Sequence, residues 1–172
     1  MTSSGPYTES MNFRHMFEKH DIRGPLPLKV DTPGSLSFAI SNHPDFTIFR
    51  YILRLSKLDS LYNDPQAHFT VFVPSDQALK GLFSDSVFTN MDLATARHIV
   101  QGSTLNRKIS GDVLGDSPAS YMLTQDPPNR IFVTNISGRT YINNNINVIH
   151  KDMILDNGII HVIDNMIYPL II

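Results

Sequence analysis

The sequence contains no cysteine. No disulfide can staple the fold, and the redox character of the compartment leaves no mark on the chain. That absence suits the cytosol and does not exclude secretion. No stretch approaches the roughly 18 to 20 apolar residues of a membrane-spanning helix, so membrane insertion is not expected. Met1-Thr2-Ser3-Ser4-Gly5-Pro6 lacks a basic start leading into an apolar run, and does not read as a signal peptide. No Lys/Arg cluster stands out and the formal net charge is −2. Neither nucleic acid nor an anionic membrane surface is therefore an expected partner. Chemistry-bearing motifs are missing too. There is no Gly-rich phosphate loop and no G-x-S-x-G elbow. The 7 histidines form no H-x-H, H-x-x-x-H or HExxH pattern. Without thiolates, a zinc site would need histidines and carboxylates from scattered positions. No cofactor and no metal are expected.

What the sequence does hold is enough apolar content for one packed domain. In 172 residues, 41% are hydrophobic and 17% charged, which places the chain among globular proteins. Residues 1–31 are mixed and polar, with Gly5, Pro6, Gly24, Pro25 and Pro27. They read as a partly ordered N-terminal extension, with a short helix over Met11–His20; residues 32–172 read as a single domain. A short helix is expected around Leu36–Ile40. Pro44-Asp45 opens a longer one whose apolar face runs through Phe49, Ile52, Leu53, Leu58 and Leu61, ending at Asn63-Asp64-Pro65. Phe69–Val73 reads as a strand, followed by Ser75 as helix N-cap with Asp76 in the first turn. Leu79, Leu82 and Phe83 form that helix's buried face, and Asp92–Ile99 is a further helix. Gly111-Asp112 and Gly115-Asp116 read as turns. From Ser120 the pattern is β: 121–123, 131–136, 140–142, 146–150, 159–163 and 167–171, with tight turns at Ser137-Gly138 and Asn144-Asn145. Helices first and strands later predict an α+β fold.

Two segments are more specific. Asn157-Gly158-Ile159-Ile160-His161-Val162-Ile163-Asp164 starts on a turn pair that tolerates positive φ and continues as a strand buried on both faces. A histidine within it must be hydrogen-bonded. Thr70-Val71-Phe72-Val73-Pro74-Ser75-Asp76-Gln77-Ala78-Leu79 lies upstream. Together they resemble the two signatures of the fasciclin domain family; Val73 and Leu79 depart from its usual alanine and phenylalanine but stay apolar. The resemblance runs nearly continuously from about Thr32 to Pro169. It implies a wedge of two packed β-sheets flanked by several helices. It also implies that Thr70, Phe72, Pro74, Ser75, Asp76, Asn157, Gly158, His161 and Asp164 are structural. With the domain expected to end near Ile172, no spacer and hydrophobic tail for a lipid anchor remain. The chain then reads as a stand-alone module or a trimmed precursor.

The resemblance implies a non-enzymatic adhesion module of the secreted or cell-surface kind, binding a protein (integrin-like) or glycan partner. His150-Lys151-Asp152-Met153-Ile154 resembles the family's Asn-Lys-Asp-Ile-Leu integrin-recognition motif, with Lys151 and Asp152 matching outright. A carboxylate flanked by apolar side chains suits a receptor's bound divalent cation. The competing reading has Asp152 capping a turn while Met153 and Ile154 fill the core. His98 matches the histidine of the family's Tyr-His adhesion pair, but Arg97 replaces the tyrosine. Asn135-Ile136-Ser137 is the single glycosylation sequon. Two alternatives come from other classes. One is an intracellular or virus-associated structural or host-interaction module without adhesion activity. The other is a hydrolase built on His161, His150 and Asp164.

Overall fold

The computed structural model describes residues 31–80, 90–126 and 129–167. In chain order these form α1 (Leu36–Asn42), α2 (Thr47–Ser56), α3 (Asp59–Asn63), β1 (Phe69–Pro74), α4 (Asp76–Leu79), α5 (Leu93–Gly102), β2 (Thr104–Leu105), α6 (Gly111–Leu114), β3 (Ala119–Leu123), β4 (Arg130–Ile136), β5 (Arg139–Ile142), β6 (Ile146–Leu155) and β7 (Gly158–Ile163). The expected Met11–His20 helix, the contribution of Leu82 and Phe83, and the strand residues after Ile167 fall outside the described residues.

The strands join in the order β2-β1-β7-β6-β5-β4-β3. At the centre, β1 and β7 run parallel, with Phe69 opposite Gly158 and Pro74 opposite Ile163. The two segments singled out in the sequence are thus neighbouring strands, and every residue of both is buried. Alternation splits their side chains between two cores. Val71, Val73, Ile160 and Val162 face the helices and pack with Phe49, Ile52, Leu53, Ile99 and Val100. Phe72 and Ile163 face the other way, into Leu105, Ile131, Val133, Ile142 and Ile146. The sheet turns over on itself at β6, where register shifts fall between Val148 and His150 and between His150 and Met153. Bulges bend and twist a strand. Here they let the β3-β4-β5 meander fold back over β1 and β7. Gln125 N donates to Thr104 O at 2.9 Å, drawing the segment after β3 back to β2. The result is the α+β wedge of packed β layers flanked by helices.

Several local expectations are corrected. The long helix starts at Thr47 and breaks at Lys57, whose φ of 61° is left-handed; α3 then restarts at Asp59. The break lets Leu58 turn into the core. The helix expected over Asp92–Ile99 runs on to Gly102. Residues 111–114 are a helical turn capped by Ser110 rather than a loop, and Thr104–Leu105 adds a short edge strand. The strand beginning at Ile146 continues to Leu155, five residues past His150.

Asn157-Gly158 works differently from a positive-φ turn. Neither residue is left-handed. Gly158 is needed because a Cβ there would sit 2.5 Å from Phe69 O and 2.6 Å from Leu36 Cδ1. Asn157 is needed for its amide: Oδ1 accepts from Leu36 N at 2.8 Å, and Nδ2 donates to Tyr62 O and Asp64 O at 2.9 and 3.0 Å. One side chain thereby ties β7 to the start of α1 and the end of α3.

Ser75 caps its own helix, accepting from Ala78 N at 3.2 Å. Asp76 does more than favour that helix's dipole. Its carboxylate also caps α2, 29 residues upstream, accepting from Ile48 N at 2.8 Å, Thr47 Oγ1 at 2.6 Å and Thr47 N at 3.2 Å. Asp76→Ala is expected to destabilise the fold by about 1 to 3 kcal/mol, against about 1 kcal/mol for Ser75→Ala. Thermal melts rank the two, and amide exchange at Ile48 should quicken only in the first variant. Equal melting temperatures would show the long-range cap to be inert.

Candidate functional site

The site is built around the kink in β6. Asp152 takes φ 67°, a left-handed conformation that aspartate tolerates better than most residues. Two hydrogen bonds hold it. Its backbone N–H donates to His161 Nδ1 at 3.1 Å. Its carboxylate Oδ1 accepts from Gly111 N, the start of α6, at 2.7 Å. Gly111 is glycine because a Cβ would come within 2.6 Å of Asp152 Oδ2 and 2.9 Å of Lys151 Cδ. Lys151 therefore lies along α6 and Asp152 closes its first turn.

Behind the bulge, His161 is fully buried on β7 beside Phe72, with ring centroids 5.6 Å apart. Because Nδ1 accepts the Asp152 N–H, the proton of the neutral ring sits on Nε2, which donates to Ile109 O at 2.8 Å. Both nitrogens are used by backbone groups. Thr70 secures the same stretch from β1: its hydroxyl donates to Arg107 O at 2.6 Å and accepts from Ile109 N at 2.7 Å. One residue of each signature strand thus fixes residues 107–111, and these in turn receive the Asp152 carboxylate. Burial pushes the His161 ring below its ordinary pKa, outweighing the opposing pull of the Ile109 hydrogen bond.

The expected recognition residues separate by exposure. Lys151 and Asp152 are exposed, Ile154 is 65% exposed, and Met153 packs against the helix-side core opposite Ile160. The motif is therefore part of a strand, with its charged pair and Ile154 outward and Met153 inward. His98 is elsewhere. It pairs with Asp126 Oδ2 at 2.8 Å, and no hydrogen bond or ion pair among the described residues links it to Lys151 or Asp152. Arg97, in the tyrosine's place, donates from Nε to Ser56 O at 2.9 Å at the end of α2. The hydrolase grouping does not form around His161. Asp164 instead accepts from Asn147 N and Nδ2 at 2.8 and 3.0 Å. Among the described residues, no three His, Cys, Asp or Glu side chains are grouped to hold a metal. Asn135 is half-buried and its Nδ2 donates to Leu114 O and Ser117 O. Sequence reasoning read Gly111 as part of a turn and did not single out Ile109; neither sits in a periodic apolar pattern.

The Fasciclin domain family model matches residues 44–169, and the chain belongs to that family. It is 25% identical over 138 residues to human periostin, an alignment covering 78% of this chain and 16% of periostin. Among solved structures, a FAS1 domain pair from the insect cell adhesion molecule fasciclin I is similar, with a TM-score of 0.61 and 24% identity. That match covers 81% of this chain and 51% of the other. The chain thus spans well under two thirds of either protein's length. The family is one associated with cell-adhesion proteins. No helix among the described residues is long and apolar enough to cross a membrane.

His161 makes the fold pH-dependent with a defined sign. Its folded-state pKa lies below the unfolded value of about 6.5. Its contribution is therefore full above that unfolded value, where both states are neutral. It is lost as pH falls towards the folded pKa, because the unfolded chain takes the proton first. His161→Gln is expected to be less stable than the parent at neutral pH by roughly 1 to 3 kcal/mol, and to lose less on mild acidification. Melting temperatures of both proteins between pH 7.5 and 5 check this; parallel pH slopes would show that His161 is not the titrating group.

Proposed function

We propose that the chain is a non-enzymatic adhesion module acting outside the cell or at its surface, and that it meets a protein receptor of the integrin kind through the β6 bulge. One observation carries this reading. Asp152 is an exposed carboxylate held in a left-handed backbone by buried partners, with the exposed Ile154 two residues on. Only Oδ1 takes a hydrogen bond among the described residues, from Gly111 N. Oδ2 lies beside Gly111 and takes no hydrogen bond among the described residues, and it is the oxygen this reading assigns to the ligand. A pre-set carboxylate loses little conformational freedom on binding, and a neighbouring apolar side chain adds buried area. Such a group suits the open coordination position of a receptor-bound divalent cation. Kinship with adhesion proteins supports the reading by analogy of fold family.

Asp152→Asn separates charge from structure. Asparagine also tolerates the left-handed region and can accept from Gly111 N, so the fold should stand within about 0.5 kcal/mol. Attachment of integrin-bearing cells to the immobilised protein should fall at least tenfold and vanish with a divalent-cation chelator. Ile154→Ser should weaken attachment without lowering the melting temperature. Full attachment by folded Asp152→Asn protein, or attachment that ignores the chelator, would overturn the receptor reading.

A further inference from the structure

The outer face of the β3-β4-β5 meander is a second surface, separate from the bulge. Alternation turns Met122, Ile131, Val133 and Ile142 into the inter-sheet core. It turns Tyr121, Leu123, Phe132, Ile136 and Tyr141 to the other side. Tyr121 and Leu123 are 64% and 67% exposed and Ile136 is 61% exposed. Tyr121 lies opposite Phe132, with ring centroids 4.7 Å apart. Residues on a solvated sheet face are normally polar. A contiguous run of apolar side chains there marks a contact surface.

The charged side chains on this face itself are both arginines. Arg130 lies opposite Leu123 at one end of β4, its guanidinium 4.8 Å from the centre of the Tyr121 ring. Arg139 lies opposite Ile136 at the other end. Both are exposed, and neither has an ion-pair partner among the described residues. Asp126 is the single carboxylate in residues 119–147, and it is taken by His98 and Asn129. Asp164, beyond the far strand, is taken by Asn147. In a chain of net charge −2 this face is locally cationic. Two copies meeting face to face would set arginine against arginine with no carboxylate between them, which disfavours self-association.

We propose that this face docks an acidic, extended polypeptide segment of another protein, laid along β4 with apolar side chains between two carboxylates. The arginines stand at the two ends of β4, about 20 Å apart at about 3.3 Å per strand residue. The matching carboxylates are then about six residues apart in an extended segment. Tyr121, Phe132 and Leu123 supply the apolar bed, and the arginines set register and orientation. This surface is independent of Asp152, so its test and that of the receptor reading fail separately.

The test is an NMR titration of the 15N-labelled full chain with three synthetic peptides. The first has two glutamates six residues apart with valine and phenylalanine between; the second has lysines instead; the third has the glutamates three apart. The six-spaced acidic peptide should give saturable shifts at Tyr121, Phe132, Thr134 and Tyr141, weakening as ionic strength rises. Arg130→Glu with Arg139→Glu should weaken binding at least tenfold, and Tyr121→Ser with Leu123→Ser similarly. All four positions are exposed, and an unchanged melting temperature confirms folding. The other two peptides should bind at least tenfold more weakly. Equal responses to the acidic and basic peptides, shifts confined to other faces, or no shifts up to about 1 mM peptide would overturn the proposal. Self-association abolished by Tyr121→Ser would overturn it too, assigning the face to a second copy.

Discussion

The parallel pairing of β1 with β7 is the constraint from which the rest of the architecture follows. Two adjacent strands are buried on both faces, so every polar group they carry must find a partner inside the protein. There are few such groups, and between them they reach three separate parts of the chain. Thr70 holds residues 107–109, His161 holds Ile109 and the β6 bulge, and Asn157 at the strand's entry holds α1 and α3. Among the described residues no buried side-chain nitrogen or oxygen lacks a partner. The apolar residues of the two strands supply area for two cores. The polar ones decide which loops lie where. Hydrophobic burial alone would tolerate many arrangements of similar volume; hydrogen-bonding atoms in a dry interior tolerate one.

The same logic connects the buried centre to the surface. The path from His161 to Asp152 is a single hydrogen bond, and Asp152 continues it to Gly111 N. A neutral imidazole is suited to this because it accepts at one nitrogen and donates at the other. A protonated ring would turn a donor towards the Asp152 N–H. The surface geometry of the bulge therefore depends on a proton held in the core, and changes at residue 161 should be felt at 152 although the two positions differ in exposure. On the opposite layer the meander is tied by Asn135, which donates to Leu114 O and Ser117 O. Its shape comes from short turns, with Ser137, Gly138, Asn143 and Asn144 all left-handed as tight hairpins require.

Most of the architecture was legible in the chain, for identifiable reasons. Strands with alternating or fully apolar character, Ser75 as a cap, and the order of helices before strands all leave local signals. The continuous run after Gly158 is buried on both faces as its composition implies. What stayed hidden is non-local. Nothing near Thr47 announces that its helix is capped by Asp76, because the cap comes from 29 residues away. Nothing near Lys57 announces a left-handed break, since lysine has no preference for one. Gly158 is a position of close approach and Asn157 a three-bond clamp, so an apparent turn dipeptide was conserving space and hydrogen bonds, not torsion angles. Segment 150–154 lies on β6, with Asp152 and Ile154 outward and Met153 inward as strand alternation implies; the left-handed backbone at Asp152 and the register shifts before Met153 left no sequence signal.

That division lets one segment be anchored in the fold and exposed at the same time. Asp152 does cap a turn, through Gly111 N, and Met153 does fill the core, yet the carboxylate and Ile154 remain on the surface. The bulge anchors Asp152 by its backbone N–H and one carboxylate oxygen while the residue stays exposed. A group fixed in this way differs from a loop carboxylate of equal exposure: it is ordered before any partner arrives. Affinity in such a site comes from order already established in folding rather than from contact area. The stability of the β1–β7 pair and the geometry of Asp152 are therefore linked, and substitutions that loosen the core around His161 should disturb the bulge at Asp152 before they unfold the protein.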